Sequence, residues 1–220
     1  MSAIGHLQSK GAIAPTKVKG SQRWLWIGGW GLPPTYTETL ARRYFPKIEH
    51  CCLAPTSNWS KALGKGTFSH IIGYSLGAFL VLLQEEVHRT EDDPSVILFA
   101  PFIDFKREAE VGGRIAAARL NILHRHLIRR PLAALSDFYA AAGLGLPSPK
   151  ELPYPLEDLL WGIEILLQKT VAPETIAPTL SFIGDRDPLL DATVMSGAIP
   201  NLNVLSRVDH RLERLISRVC

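Results

Sequence analysis

The sequence predicts an α/β protein: a mostly parallel sheet of about six strands, helices on both faces, and a helical insertion ahead of the last two strands. Three observations carry this. Short runs rich in β-branched and aromatic residues alternate with segments of helical periodicity between residues 23 and 100. The strand signal vanishes from 104 to about 170 and returns at 179. Finally, Gly73-Tyr74-Ser75-Leu76-Gly77 joins an apolar run to a helical one beginning at Ala78: a strand, a sharp turn and a helix with a serine at the apex.

The elements follow in order. Residues 1–22 hold Gly5, Gly11, Pro15, Gly20 and the cations Lys10, Lys17 and Lys19 without an apolar period, and are expected to form a flexible arm. Arg23-Trp24-Leu25-Trp26-Ile27 is a first strand, ending in the glycine loop Gly28-Gly29-Trp30-Gly31; residues 35–44 are helical and 48–53 form a second strand. A third strand over 68–72 leads into the serine turn, after which Leu76, Phe79, Leu80, Leu83 and Val87 mark one helix face. Residues 95–100 form a fourth strand. Helical segments broken by Gly112-Gly113, Pro131 and the proline- and glycine-rich stretch 143–155 make a cap over 104–170. The sheet resumes at 179–183, passes through Gly184-Asp185-Arg186-Asp187, reaches a last strand at 202–205 and closes with a helix over 210–219. The expected organisation is an arm (1–22), a core in two pieces (23–103 and 171–220) and the cap between them (104–170).

Of the 220 residues 46% are hydrophobic and 20% charged, the composition of an ordinary globular chain. No apolar run approaches the roughly 18 residues needed to span a bilayer, and no signal-peptide centre precedes the first strand. The three cysteines, Cys51, Cys52 and Cys220, make no disulfide framework; the first two read as packing residues of a buried strand. These observations lead us to expect a cytoplasmic monomer without metal or cofactor.

A serine hydroxyl attacks an acyl carbon only when a base removes its proton, and a third group must hold that base in one tautomer. In parallel sheets the ligand site lies at the carboxyl ends of the strands, so the partners are sought just after strands. Among seven histidines, His210 follows the last strand; His70 lies within a strand, His88 at a helix end, and His124 and His126 in the basic cap helix. Asp185, Asp187 and Asp191 all follow the fifth strand, and position alone leaves the choice among them open. Asp209 adjoins His210, and neighbouring side chains diverge too far for one to orient the other.

With these marks in place, the chain from about 23 to 218 resembles the α/β-hydrolases. Within that superfamily it is similar to the pimeloyl-acyl-carrier-protein methyl ester esterases of biotin synthesis (the BioH and BioG types). The resemblance rests on Gly29-Trp30-Gly31-Leu32, Gly73-Tyr74-Ser75-Leu76-Gly77, Gly184-Asp185-Arg186-Asp187 and His210. It implies that Ser75 is the nucleophile, His210 the base and Asp187, third after the glycine, the acid. It further implies an oxyanion hole from the backbone N–H groups of Trp30 and Leu76. The chain departs from the pattern at Gly28, where a histidine is frequent, at Asp209, where a glycine is frequent, and in lacking the fold's first two strands.

Charge is concentrated in the cap. Between 106 and 130, Lys106, Arg107, Arg114, Arg119, Arg125, Arg129 and Arg130 face only Glu108 and Glu110, a surplus of five that exceeds the whole-chain +3. On one ideal helix Arg114, Arg125 and Arg129 would fall within roughly 60° of one another, a positive stripe suited to an anionic partner. Nucleic acid is disfavoured because no aromatics interleave with the cations. The resemblance points instead to acyl carrier protein. The resulting expectation is a serine carboxylesterase for the methyl ester of pimeloyl-acyl carrier protein. The alternatives are a general short-chain esterase or thioesterase, and a catalytically silent fold that binds through its cap.

Overall fold

β1 (Arg23–Ile27) lies between β2 (Glu49–Leu53) and β3 (His70–Tyr74), and β4 (Ser95–Phe99), β5 (Leu180–Gly184) and β6 (Leu202–Leu205) follow outward, giving the order β2-β1-β3-β4-β5-β6 with every pairing parallel. The computed structural model describes residues 22–220 except 66, 85–93 and 178. Residues 1–21 of the expected arm, Val87 of the expected helix face and His88 lie outside the described residues.

Successive residues of a strand point to opposite faces, yet all five residues of β3 and the last four of β1, β4 and β5 are buried. A central strand buried on both faces needs the continuous apolar run seen in Trp24-Leu25-Trp26-Ile27 rather than an alternating one. The helices α1 (Pro34–Tyr44), α2 (Leu76–Leu82), α6 (Ala192–Ala198) and α7 (Leu212–Ile216) pack on β2, on β1 and β3, on β6, and on β5 respectively. β2 and β6 are the edges and are more exposed. Cys51 and Cys52 are therefore half-buried on an edge strand, not inside a buried one; burial still pushes the Cys52 thiol up to about 12, which keeps it protonated and inert.

Between β4 and β5 the chain forms α3 (Ala117–Arg129), α4 (Pro131–Ala141) and α5 (Leu156–Gln168), with α3 packed on both of the others. The segment's two stems are joined where it leaves and re-enters the sheet: Val171 N–H donates to the Ile103 carbonyl (2.8 Å) and the Thr170 hydroxyl to buried Asp104 (2.5 Å). Its first stretch does not continue α3 backwards. Gly113 bridges to Leu190, and Arg114 N–H donates to the Leu189 carbonyl (2.9 Å), so residues 112–114 run beside the loop after β5. The expected single stripe is thereby corrected: α3 begins at Ala117, and Arg114 stands off it while Arg125 and Arg129 stay on its exposed face.

Strand order reverses between β1 and β3, since the chain goes to one side of β1 for β2 and to the other for β3. In an open parallel sheet this switch point opens a crevice at the carboxyl ends of the strands. The loop after β1 and the turn after β3 both lie there, and Gly77 N–H donates to the Gly28 carbonyl (3.1 Å) to hold them together.

Candidate active site

Ser75 sits at φ 53°, ψ −116°, a backbone conformation costly for a side-chain-bearing residue. Its N–H donates to the Phe99 carbonyl of β4 (2.9 Å) and its carbonyl accepts from Phe79 of α2 (3.0 Å), so the turn is fixed from both sides. The two glycines make the bend possible. A Cβ on Gly73 would lie 2.6 Å from Ala78 Cα, and one on Gly77 would overlap the Ile27 carbonyl. Gly77→Ala should cost at least about 3 kcal/mol of stability, because the obstacle is backbone and cannot move aside; thermal unfolding against wild type measures it, and an unchanged Tm would contradict it.

From this turn a chain of hydrogen bonds runs inward. Ser75 Oγ lies 3.0 Å from His210 Nε2, and His210 Nδ1 lies 2.6 Å from Asp187 Oδ2, with all three residues buried. Asp187 Oδ1 is occupied by the N–H groups of Leu189 (2.8 Å) and Leu190 (3.1 Å). An ionised Asp187 thus has Oδ2 free to accept the Nδ1 proton, which leaves Nε2 as acceptor for the Ser75 hydroxyl. The buried Tyr74 hydroxyl donates to the His210 carbonyl (3.0 Å) and braces the histidine from behind. α7 starts only at Leu212, after Arg211 in extended backbone, later than the expected helix at 210.

The other aspartates are engaged elsewhere. Asp185 accepts from Val208 N–H, Asp209 forms a two-pronged ion pair with Arg211, and Asp191 caps α6 through the N–H groups of Thr193 and Val194. Arg114 binds Asp191 Oδ2 (3.1 Å) and the Asp187 carbonyl (2.9 Å). That hydrogen bond, foremost, holds the Asp191 carboxyl below the usual range. Arg114 therefore ties the loop carrying Asp187 to the segment ahead of α3, a role that helical spacing concealed.

Leu76 is the first residue of α2, so its N–H has no partner within the helix. Trp30 lies in the glycine loop, where Gly28 N–H donates to the Leu53 carbonyl (3.0 Å). Three contacts from residues 139–162 also reach this loop, and sequence reasoning missed them. Tyr139 donates to the Gly31 carbonyl (2.5 Å), Tyr154 accepts from Gly31 N–H (2.7 Å), and the Trp30 indole donates to the Leu159 carbonyl of α5 (2.8 Å). No motif marks those tyrosines.

A cavity of about 320 Å³ is walled mainly by apolar side chains of α3, α4 and α5, and its lining includes Trp30 of the glycine loop and Pro188 and Leu189 of the loop that carries Asp187. It is at the small end of the range for ligand pockets. Arg114, Arg119, His126 and Asp137 bring charged or titratable groups to its wall, the last two 3.4 Å apart. Among the described residues no three His, Cys, Asp or Glu side chains are grouped to hold a metal ion, and no helix is long and apolar enough to cross a membrane.

A six-stranded parallel sheet with a serine on the turn after β3, an aspartate after β5 and a histidine after β6 is the α/β-hydrolase fold, and solved structures agree. The chain is similar to olei00960, a hydrolase from Oleispira antarctica (15% identity, 91% of this chain and 89% of that one, TM-score 0.65), and to the esterase EaEST from Exiguobacterium antarcticum (15%, 91% and 86%, TM-score 0.64). It is also similar to BioG from Haemophilus influenzae (13%, 92% and 93%, TM-score 0.55). No family model and no curated protein matches the chain by sequence.

Proposed function

We propose that this protein is a serine carboxylesterase acting on a short acyl chain, and that its substrate is a methyl ester of a dicarboxylic acyl group on acyl carrier protein, of the pimeloyl type. The observation that carries the esterase reading is the buried Ser75–His210–Asp187 line, with the glycine-loop residue Trp30 and the Asp187-loop residue Leu189 lining an apolar cavity. Ser75 Oγ attacks the ester carbonyl as its proton passes to His210 Nε2, and Asp187 stabilises the imidazolium. The N–H groups of Trp30 and Leu76 receive the oxyanion. His210 returns the proton to the departing alkoxide; it then deprotonates a water that attacks the acyl-enzyme, releasing the acid and restoring Ser75.

The carrier half rests on charge and on likeness to BioG. Arg125 and Arg129 are exposed on α3 and, among the described residues, form no ion pair; exposed Ile122 and Ile128 lie on the same helix. A cationic and apolar face suits an acidic partner with a hydrophobic ridge. Replacing Arg125 and Arg129 together by glutamate should lower kcat/KM for carrier-linked methyl pimelate about tenfold or more, and leave free p-nitrophenyl butyrate within about twofold. Equal rates on the carrier-linked ester before and after reversal would remove the carrier and leave a general short-chain esterase or thioesterase, a reading that the small cavity and the esterase neighbours favour. Failure of Ser75 to react with a fluorophosphonate probe would instead point to a silent binding protein.

A further inference from the structure

We propose that Tyr139 and Tyr154 are positioning residues for the oxyanion hole, acting through Gly31, and that the cap sets the geometry of the catalytic loop as well as covering it. The proposal rests on the esterase reading above. Gly31 is the residue after Trp30, whose N–H is the proposed loop donor, so the two share a peptide bond. Tyr154 takes the N–H of that bond (2.7 Å), and Tyr139 donates to the next carbonyl (2.5 Å). Both phenols are almost fully buried, and burial raises the pKa of each, keeping them as neutral, fixed hydrogen-bonding groups.

A third anchor acts on the other side of the donor. The Trp30 ring lies against α5 at Gly162, where a Cβ would stand 2.5 Å from the indole Cδ1, and its Nε1–H reaches the Leu159 carbonyl three residues earlier (2.8 Å). Gly31 itself has φ +74°, and a Cβ there would lie 3.0 Å from Leu135 of α4. The loop is thus held by α4, by α5 and by Tyr154 in the connection between them. An amide useful to an oxyanion must be aimed before the charge develops, because preorganised dipoles need no reorientation during reaction. Gly28 occupies a position with no side chain to brace this loop from within, and the two tyrosines supply the bracing from above.

The test is Tyr139→Phe and Tyr154→Phe, each in the full chain, with hydrolysis of p-nitrophenyl butyrate and inhibition by butylboronic acid as readouts. The boronate forms a tetrahedral adduct with the serine and so reports on the oxyanion site. Each variant should lose roughly 10- to 100-fold in kcat with KM within about twofold, weaken boronate binding by a similar factor, and leave the midpoint of the pH–rate profile in place. If either variant fails to fold, the other decides. Gly162→Ala, which would push the indole from α5, should give the same pattern. Unchanged kcat, or a loss confined to KM with boronate affinity intact, would overturn the proposal and leave the tyrosines as core packing. A wild-type chain that neither hydrolyses the ester nor reacts at Ser75 would sink the esterase reading first, and the proposal with it.

Discussion

Ser75→Ala is expected to remove about 10⁶-fold of kcat on p-nitrophenyl butyrate, the scale known for the nucleophile of a hydrogen-bonded triad, while leaving the fold intact. The oxyanion amides and the cavity would remain, so substrate should still bind with nearly unchanged affinity. Ser75→Gly separates chemistry from conformation. It is equally inactive, but glycine adopts φ 53°, ψ −116° without the side-chain strain that serine bears. After subtracting the extra chain entropy that glycine loses on folding, a gain of about 1 kcal/mol remains, or about 2–4 °C in Tm. An inert variant that melts higher would demonstrate that the strain belongs to the chemistry. Retained hydrolysis in Ser75→Ala would refute the mechanism outright, and an unchanged Tm in Ser75→Gly would place the turn's energy elsewhere.

The sheet was legible because its signals are local. The central strands are short apolar runs, the turns at the ends of β1, β3 and β5 carry glycines, and parallel order follows from alternation of strand and helix. Boundaries moved where tertiary contacts intervene. β3 runs to Tyr74 instead of stopping at 72, since Gly73 leaves room for α2 to fold back over the strand. Arg114 was misplaced for a similar reason: helical period projects smoothly from Arg114 to Arg129, but residues 112–114 pair with residues 189–191 and the chain enters α3 only at Ala117. The tyrosine clamp had no local signature, because Tyr139 and Tyr154 meet Gly31 across 108 and 123 residues of sequence and only after α4 and α5 have packed on the glycine loop. Residues that do chemistry sit at motif positions, whereas residues that aim them are found only once the chain is folded.

The choice among the aspartates yields the second large effect. Asp187→Asn should cut kcat about 10⁴-fold with little change in stability. The amide oxygen can take over the N–H groups of Leu189 and Leu190, as Oδ1 does now, so the loop keeps its shape. The amide nitrogen then faces His210 Nδ1 where Oδ2 stood at 2.6 Å, and it donates where the carboxylate accepted. Nδ1 must become the acceptor, the ring proton moves to Nε2, and the atom facing Ser75 Oγ at 3.0 Å can no longer take the serine's proton. The parallel variants are the control. Asp185→Asn and Asp191→Asn remove carboxylates that hold Val208 and the start of α6, so each should alter kcat less than about tenfold and act mainly on stability. Asp191→Asn also weakens the grip of Arg114, which holds the Asp187 carbonyl, and any loss of rate in that variant should be reproduced by Arg114→Ala. If Asp187→Asn kept wild-type kcat while one of the other two lost it, the orienting carboxylate would have to be reassigned, and with it the proton path from Ser75.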